Sequence, residues 1–218
     1  MAKYSLKLNS STARRAGRTK STRFYGAVAP MGYKVRRKLL EHTKGKEWAD
    51  VVALDWHNKE SMTNDLRSMD QHCEYKFLAH TEGNSYSGRL KYLQNCRSVV
   101  IAHKLNWIQH HHTLMRATGP EQNYVEVNSD FGNLEEAIKN LRINSKNAEE
   151  IANRMVTVFR DRYLTLAAEA CYRRRLIRAW AEVSFEPDLF TVKDGKKHLR
   201  GLPVESYLLE RRLSWEPY

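Results

Sequence analysis

The chain has 218 residues, 41% of them hydrophobic and 10% aromatic, so it can bury a core and wholesale disorder is excluded. Its formal charge is +12, from 37 Lys and Arg against 25 Asp and Glu. No run approaches the roughly 18 apolar residues of a membrane span, and the opening MAKYSLKLNSSTARRAGRTK lacks the apolar stretch of a secretory signal.

In chain order, residues 1–23 read as a flexible basic arm. Residues 1–50 carry thirteen basic and three acidic side chains, and so +10 of the total charge. Such an arm attracts polyanions. With only Tyr4, Phe24 and Tyr25 as interleaved aromatics, a solvated tail is the plainer reading. Phe24–Ala29 reads as a strand ended by the Pro30-Met31-Gly32 turn, and Val35, Leu39 and Leu40 repeat at helical spacing. Asp50–Leu54 and Tyr75–Ala79 are further short apolar runs, and Arg89–Leu93 opens a helix after the turn Glu82–Gly88. Ser98–Ala102 is β-branched and strand-like, and Asn123–Val127 alternates as a strand does. Leu134, Ala137, Ile138 and Leu141, then Ile151, Ala152, Met155, Val158 and Phe159, mark two amphipathic helices. Glu169–Val183 forms a last helix, in which Tyr172 and Trp180 read as core, and a Pro-punctuated tail follows. Strands alternating with helix-length segments predict an α/β fold with a doubly wound parallel sheet.

Three cysteines, Cys73, Cys96 and Cys171, are few, odd in number and far apart, which offers neither a disulfide framework nor a four-Cys zinc site. Cys73 reads as a small buried residue. His110-His111-His112 could suggest a metal, but neighbours on a helix point in different directions, so surface or capping histidines are favoured. The segment Phe77–Leu93 has the layout strand, Gly/Ser-rich turn, helix, which suits a phosphate at the helix start with Arg89 clamping it. Gly83 and Gly88 have the spacing of a P-loop, yet Arg89-Leu90 stands where Lys and Ser/Thr are required. On spacing alone, a structural turn competes evenly with a phosphate site.

The stretch Asp70-Gln71-His72-Cys73-Glu74-Tyr75-Lys76-Phe77-Leu78, followed by His80-Thr81-Glu82-Gly83-Asn84-Ser85-Tyr86-Ser87-Gly88-Arg89-Leu90-Lys91-Tyr92-Leu93, closely resembles glycosyltransferase family 90. That family holds the fungal capsule-associated (CAP) glycosyltransferases and the animal protein O-glucosyltransferases. The resemblance continues through Cys96–Val100, Trp107-Ile108, Gly119–Asn123, Asp130-Phe131, Phe159–Thr165 and Glu169–Tyr172, and its wording is closest to fungal members. It implies a CAP-type donor-binding domain over residues 24–187, with residues 188–218 as a C-terminal tail. The implied fold is the C-terminal, Rossmann-like half of a two-domain GT-B enzyme. The implied chemistry transfers a sugar (glucose or xylose) from a UDP-sugar to a protein or glycan hydroxyl, with inversion and with neither metal nor cofactor.

By the same resemblance the donor is held by Asn84, Ser85, Tyr86, Ser87, Gly88 and Arg89, with Arg89 balancing charge on the leaving UDP. Phe24-Tyr25-Gly26-Ala27, with Arg36 following, stands for a second donor-binding block contributing Ala27 and Arg36, and has Tyr25 where the family has Arg. The family's catalytic Asp belongs to the other half, and the 23 residues before Phe24 contain no acidic residue, so the chain is expected to be truncated and inactive alone, its catalytic group unassigned. A missing N-terminal domain, or self-association in its place, is the expected partner. The family implies the Golgi or endoplasmic reticulum, whereas a native N-terminus without a leader implies the cytoplasm; the sequon Asn9-Ser10-Ser11 does not decide between them. The competing reading is a nucleic-acid or polyanion-binding protein that uses Arg14–Arg23.

Overall fold

The computed structural model describes residues 19–202 and 204–210. The arm's residues 1–18, with most of its arginines and the sequon, lie outside the described residues. The chain divides at Ala170/Cys171 into two units.

The first unit is built on a five-stranded parallel sheet: β1 (Ser21–Val28), β2 (Ala49–Ala53), β3 (Tyr75–His80), β4 (Val99–His103) and β5 (Val125–Val127). Their order across the sheet is β2-β1-β3-β4-β5, so the chain lays β2 on one side of β1 and then crosses to continue on the other. The interleaved helices are α1 (Lys34–Thr43), α2 (Lys59–Asn64), α3 (Met69–His72), α4 (Leu90–Leu93), α5 (Leu134–Ile143) and α6 (Ser145–Met155). α6 runs on into a π-helix over Val156–Tyr163.

Period-two alternation sorts each strand's side chains to two cores, as a doubly wound sheet requires. Phe24, Val28, Phe77, Ala79, Val99 and Ile101 pack with Leu39, Ile138 and Ile151 from α1, α5 and α6 on one face. Tyr25, Ala27, Leu78, Val100 and Ala102 pack with Leu90, Leu93, Met155 and Phe159 on the other. Gly26 in β1 has no room for a side chain, because a Cβ there would lie 2.7 Å from the Cβ of Ala79.

Several sequence expectations are corrected. β1 takes in Ser21–Arg23, which composition assigns to the arm, and Lys20 just before it is tethered to Arg97 O and Ser98 Oγ at 2.5 and 2.8 Å. Cys73 and Cys96 form a disulfide, because α3 and α4 end side by side beneath β3. Their spacing in sequence carries no sign of that neighbourhood. His111 is buried rather than on the surface, its ring edge-on to Phe159 with centroids 6.0 Å apart.

The second unit holds the remainder of α7 (Leu166–Val183), an antiparallel hairpin of β6 (Phe190–Lys193) and β7 (Lys196–Leu199), and α8 (Val204–Glu210). Tyr172 and Trp180 are not core, the latter being 66% exposed. Periodicity marks an apolar stripe but not whether another layer covers it. Between the hairpin strands Asp194 and Gly195 take φ of 51° and 72°, the left-handed pair of a tight two-residue turn.

Candidate functional site

Where strand order reverses, the loops from two adjacent strands leave in opposite directions and open a crevice beyond the carboxyl ends. Here that point lies between β1 and β3, and it gathers the loop and helix after β1 (Ala29–Arg36) and the loop after β3 (Thr81–Arg89).

Two arginines meet at this point. Arg36, in the first turn of α1, sends its guanidinium back across the crevice. Its Nε donates to Glu82 O at 3.0 Å and its Nη1 to Ala29 O at 2.8 Å, tying the end of β1 to the loop after β3. Gly83 makes this approach feasible, since a Cβ there would sit 2.9 Å from Arg36 Nη2. Arg89 turns inward and donates through Nη1 to Ala27 O within β1. Burial, reinforced by the neighbouring charge of Arg36, pushes Arg89 down to about 10, and burial also lowers Arg36. Neither guanidinium has a carboxylate partner among the described residues. Two cations of one crevice held on carbonyl oxygens are an arrangement that can accept a multiply charged anion.

The loop between them is rich in unused donors. Gly83 N–H bonds Ser85 O and Leu90 N–H bonds Ser87 O, but the amides from Asn84 to Arg89 donate to no protein acceptor among the described residues. The side chains of Asn84, Ser85, Tyr86 and Ser87 likewise hold no hydrogen bond there. Gly88 has ordinary φ, and a Cβ would meet nothing within 4 Å, so packing does not demand glycine at that position. The helix expected after Arg89 is one four-residue turn, too short to act as a dipole. Any anion binding must therefore come from the guanidinium groups and loop amides. Ala27 contributes through its carbonyl, its side chain lying in the core.

Several residues at the crevice were not among the expected site residues. His80, ending β3, is 1% exposed, and its Nδ1 has no partner. Burial, with Arg89, His103, His112 and Arg36 nearby, holds it neutral. Glu82 is also buried, and its carboxylate accepts from Asn106 N, Asn106 Nδ2 and Trp107 N at 3.0, 3.4 and 2.9 Å. Its own N–H donates to His103 Nε2 at 3.2 Å, while His103 Nδ1 lies 2.8 Å from Lys104 O. Glu82 thus anchors the loop after β4 to the loop after β3. Two hints were available: His80 and Glu82 fall within the stretch that resembles the family, and all three are polar residues that close apolar strands at the edge where ligands bind.

Further along the same edge, beyond β4 and β5, a depression of about 550 Å³ is lined by Lys104, Glu126, Val127, Asn128, Ser129 and Asp130. Among the described residues no cluster of three or more His, Cys, Asp or Glu is placed to hold a metal ion, and no helix is long and apolar enough to cross a membrane.

Residues 18–194 match the profile of Glycosyl transferase family 90. Over 142 residues the chain is 28% identical to "Protein O-glucosyltransferase 1" of Homo sapiens, an alignment covering 65% of this chain and 34% of that protein. It is 30% identical over 139 residues to "O-glucosyltransferase rumi" of Drosophila pseudoobscura pseudoobscura, covering 61% and 33%. The chain spans about a third of the length of these curated relatives. The match across most of its length, over the loops that form the crevice, shows that the chain belongs to glycosyl transferase family 90.

Proposed function

We propose that this chain is the donor-binding part of a GT-B glycosyltransferase that moves a sugar, glucose or xylose, from a UDP-sugar to a protein or glycan hydroxyl. The observation that carries the reading is the Arg36–Arg89 pair at the strand-order reversal, beside a loop of unused amides. A leaving UDP develops negative charge on its diphosphate, and fixed donors at that position stabilise the transition state. Asn84, Ser85, Ser87 and the Gly88 amide would meet the phosphate oxygens, with Tyr86 at the mouth. The depression beyond β4 and β5 would receive the nucleoside. It lies roughly 10 Å along the edge from the arginine pair, at about 4.8 Å per strand.

Inversion at the sugar carbon requires a base that deprotonates the acceptor hydroxyl as it attacks from the face opposite UDP. Glu82 is tied to the loop amides, so this group is supplied from outside the crevice, by the part of the relatives that this chain does not span. The chain alone is then expected to bind donor and to transfer little. No step in this scheme calls on a metal ion, since the arginines offset the diphosphate charge. For location we propose the secretory pathway, because the Cys73–Cys96 disulfide suits an oxidising compartment.

The test is calorimetric titration of the chain with UDP, repeated on Arg89→Ala and Arg89→Lys with circular dichroism as the folding control. Loss of a charge-assisted contact predicts about 10–100-fold weaker binding for Arg89→Ala, with partial recovery in Arg89→Lys. Undiminished UDP binding by a folded Arg89→Ala variant refutes the site.

A further inference from the structure

Four loops leave the carboxyl ends of β2, β1, β3 and β4, and each exposes large apolar surface: Trp56, Met31, Tyr86, and Trp107 with Ile108, in sheet order. Single exposed apolar residues are ordinary. Apolar exposure at four neighbouring strand ends, roughly 15 Å along one edge at about 4.8 Å per strand, is not scattered. The arginine pair lies within the row. If the donor lies as proposed above, with its nucleoside toward β5, the sugar-bearing end of the diphosphate points the other way, toward β1 and β2. Trp56 and Met31 stand there, 55% and 63% exposed.

Trp56 is displayed by a fixed turn. Leu54 N–H bonds Val28 O at 2.9 Å, Asp55 Oδ1 accepts from His57 N at 2.9 Å, and Asn58 N–H bonds Asp55 O at 3.2 Å. Asn58 Oδ1 then caps α2 by accepting from Glu60 N and Ser61 N. The backbone that carries Trp56 is therefore already ordered, which lowers the cost of engaging a ligand there. The exposed residues next to Trp56 in the chain, Asp55, His57, Asn58, Lys59 and Glu60, all carry hydrogen-bonding side chains. A flat aromatic face beside carboxylate, amide and amine groups matches a ring with an apolar C–H face and a hydroxyl rim. A bound peptide strand would instead pair along the side of a sheet, and this row runs across strand ends.

We infer that Trp56, with Met31 from the neighbouring loop, forms the floor of an acceptor site for a saccharide; this rests on the donor orientation proposed above. The hydroxyl of the terminal sugar ring stacked on Trp56 would then be presented to the donor sugar carbon. The experiment is saturation-transfer NMR on the full chain with gluco-, manno- and xylotriose as probes, with and without saturating UDP, on wild type, Trp56→Ala and Trp56→Phe. Expected is binding of at least one triose, weakened about tenfold or more in Trp56→Ala and largely kept in Trp56→Phe, with UDP affinity unchanged in both. Triose binding in folded Trp56→Ala equal to wild type overturns the inference. So does a wild-type chain that binds UDP but none of the trioses, which would point to a polypeptide acceptor. Triose binding that depends on Trp56 in a chain that fails to bind UDP would overturn the donor reading and leave the saccharide site standing.

Discussion

The Cys73–Cys96 bridge closes a segment with a sequence separation of 23, and that segment contains β3, the whole candidate loop and α4. In the chain-entropy description, a closure of this length lowers the entropy of the unfolded chain enough to stabilise the fold by about 3 kcal/mol. Both cysteines are buried, so Cys73→Ala/Cys96→Ala removes sulfur packing as well, whereas reduction of the wild type removes the covalent link alone. With a urea m-value of about 2–3 kcal/mol/M for a chain of this size, the midpoint should fall by roughly 1–1.5 M in either case. Urea titrations followed by tryptophan fluorescence, with and without dithiothreitol, measure this. Thiol titration of unfolded, unreduced protein should find a single reactive group, Cys171. Three reactive thiols and a midpoint indifferent to dithiothreitol would refute the bridge, and the argument for an oxidising compartment would go with it.

Gly26→Ala puts a methyl group 2.7 Å from the Cβ of Ala79, where strand backbones hold both positions, so overpacking of about 1–3 kcal/mol is expected. At about 2–4 °C per kcal/mol for a chain of this length, calorimetry should record a clear fall in Tm, and an unchanged Tm would mean that β1 and β3 are not in this contact. Acid should destabilise the fold before the carboxylates titrate. Burial lowers His72 and His80 and holds His111 down at about 3, so the unfolded chain takes up protons that these rings refuse in the folded one. Stability is thus lost progressively as pH falls below about 6.5, the ordinary histidine value. Urea midpoints at pH 7 and pH 5 test the sign, and His111→Phe should flatten the difference; a midpoint that rises toward pH 5 contradicts it.

Much of the sheet was legible because parallel strands buried on both faces read as short apolar runs, and all five were placed within a few residues. The loop Asn84–Arg89 stood out through its composition and its resemblance. Side-chain direction could not be read: nothing in the sequence says that the helix after Arg89 is a single turn or that its guanidinium folds back onto β1. The disulfide was missed because α3 and α4 become neighbours only after β3 is threaded between them. His80, Glu82 and His103 escaped for a related reason, since polar strand ends acquire meaning only once strand order places them at a reversal. The hairpin at Asp194-Gly195 did carry a local signal, an Asp-Gly pair between β-prone residues, which was lost in reading residues 188–218 as a tail.

The arginine pair illustrates why the fold alone does not settle such a site. Arg36 and Arg89 reach one crevice from different elements, and burial first, then the like charge of Arg36, lowers Arg89. A carboxylate between them would relieve that repulsion and stabilise the protein, but it would also fill the place of an anion. The chain instead ties each guanidinium to backbone carbonyls, which orient the group and neutralise none of its charge. Folding therefore leaves an electrostatic cost that a bound anion can offset, and on the donor reading proposed above relief of that cost adds to the affinity for a diphosphate. On this argument, placing a carboxylate in the crevice, as in Ser85→Glu, should raise Tm while weakening UDP binding. A variant that raised both would show that the two arginines are structural ties and not a receptor.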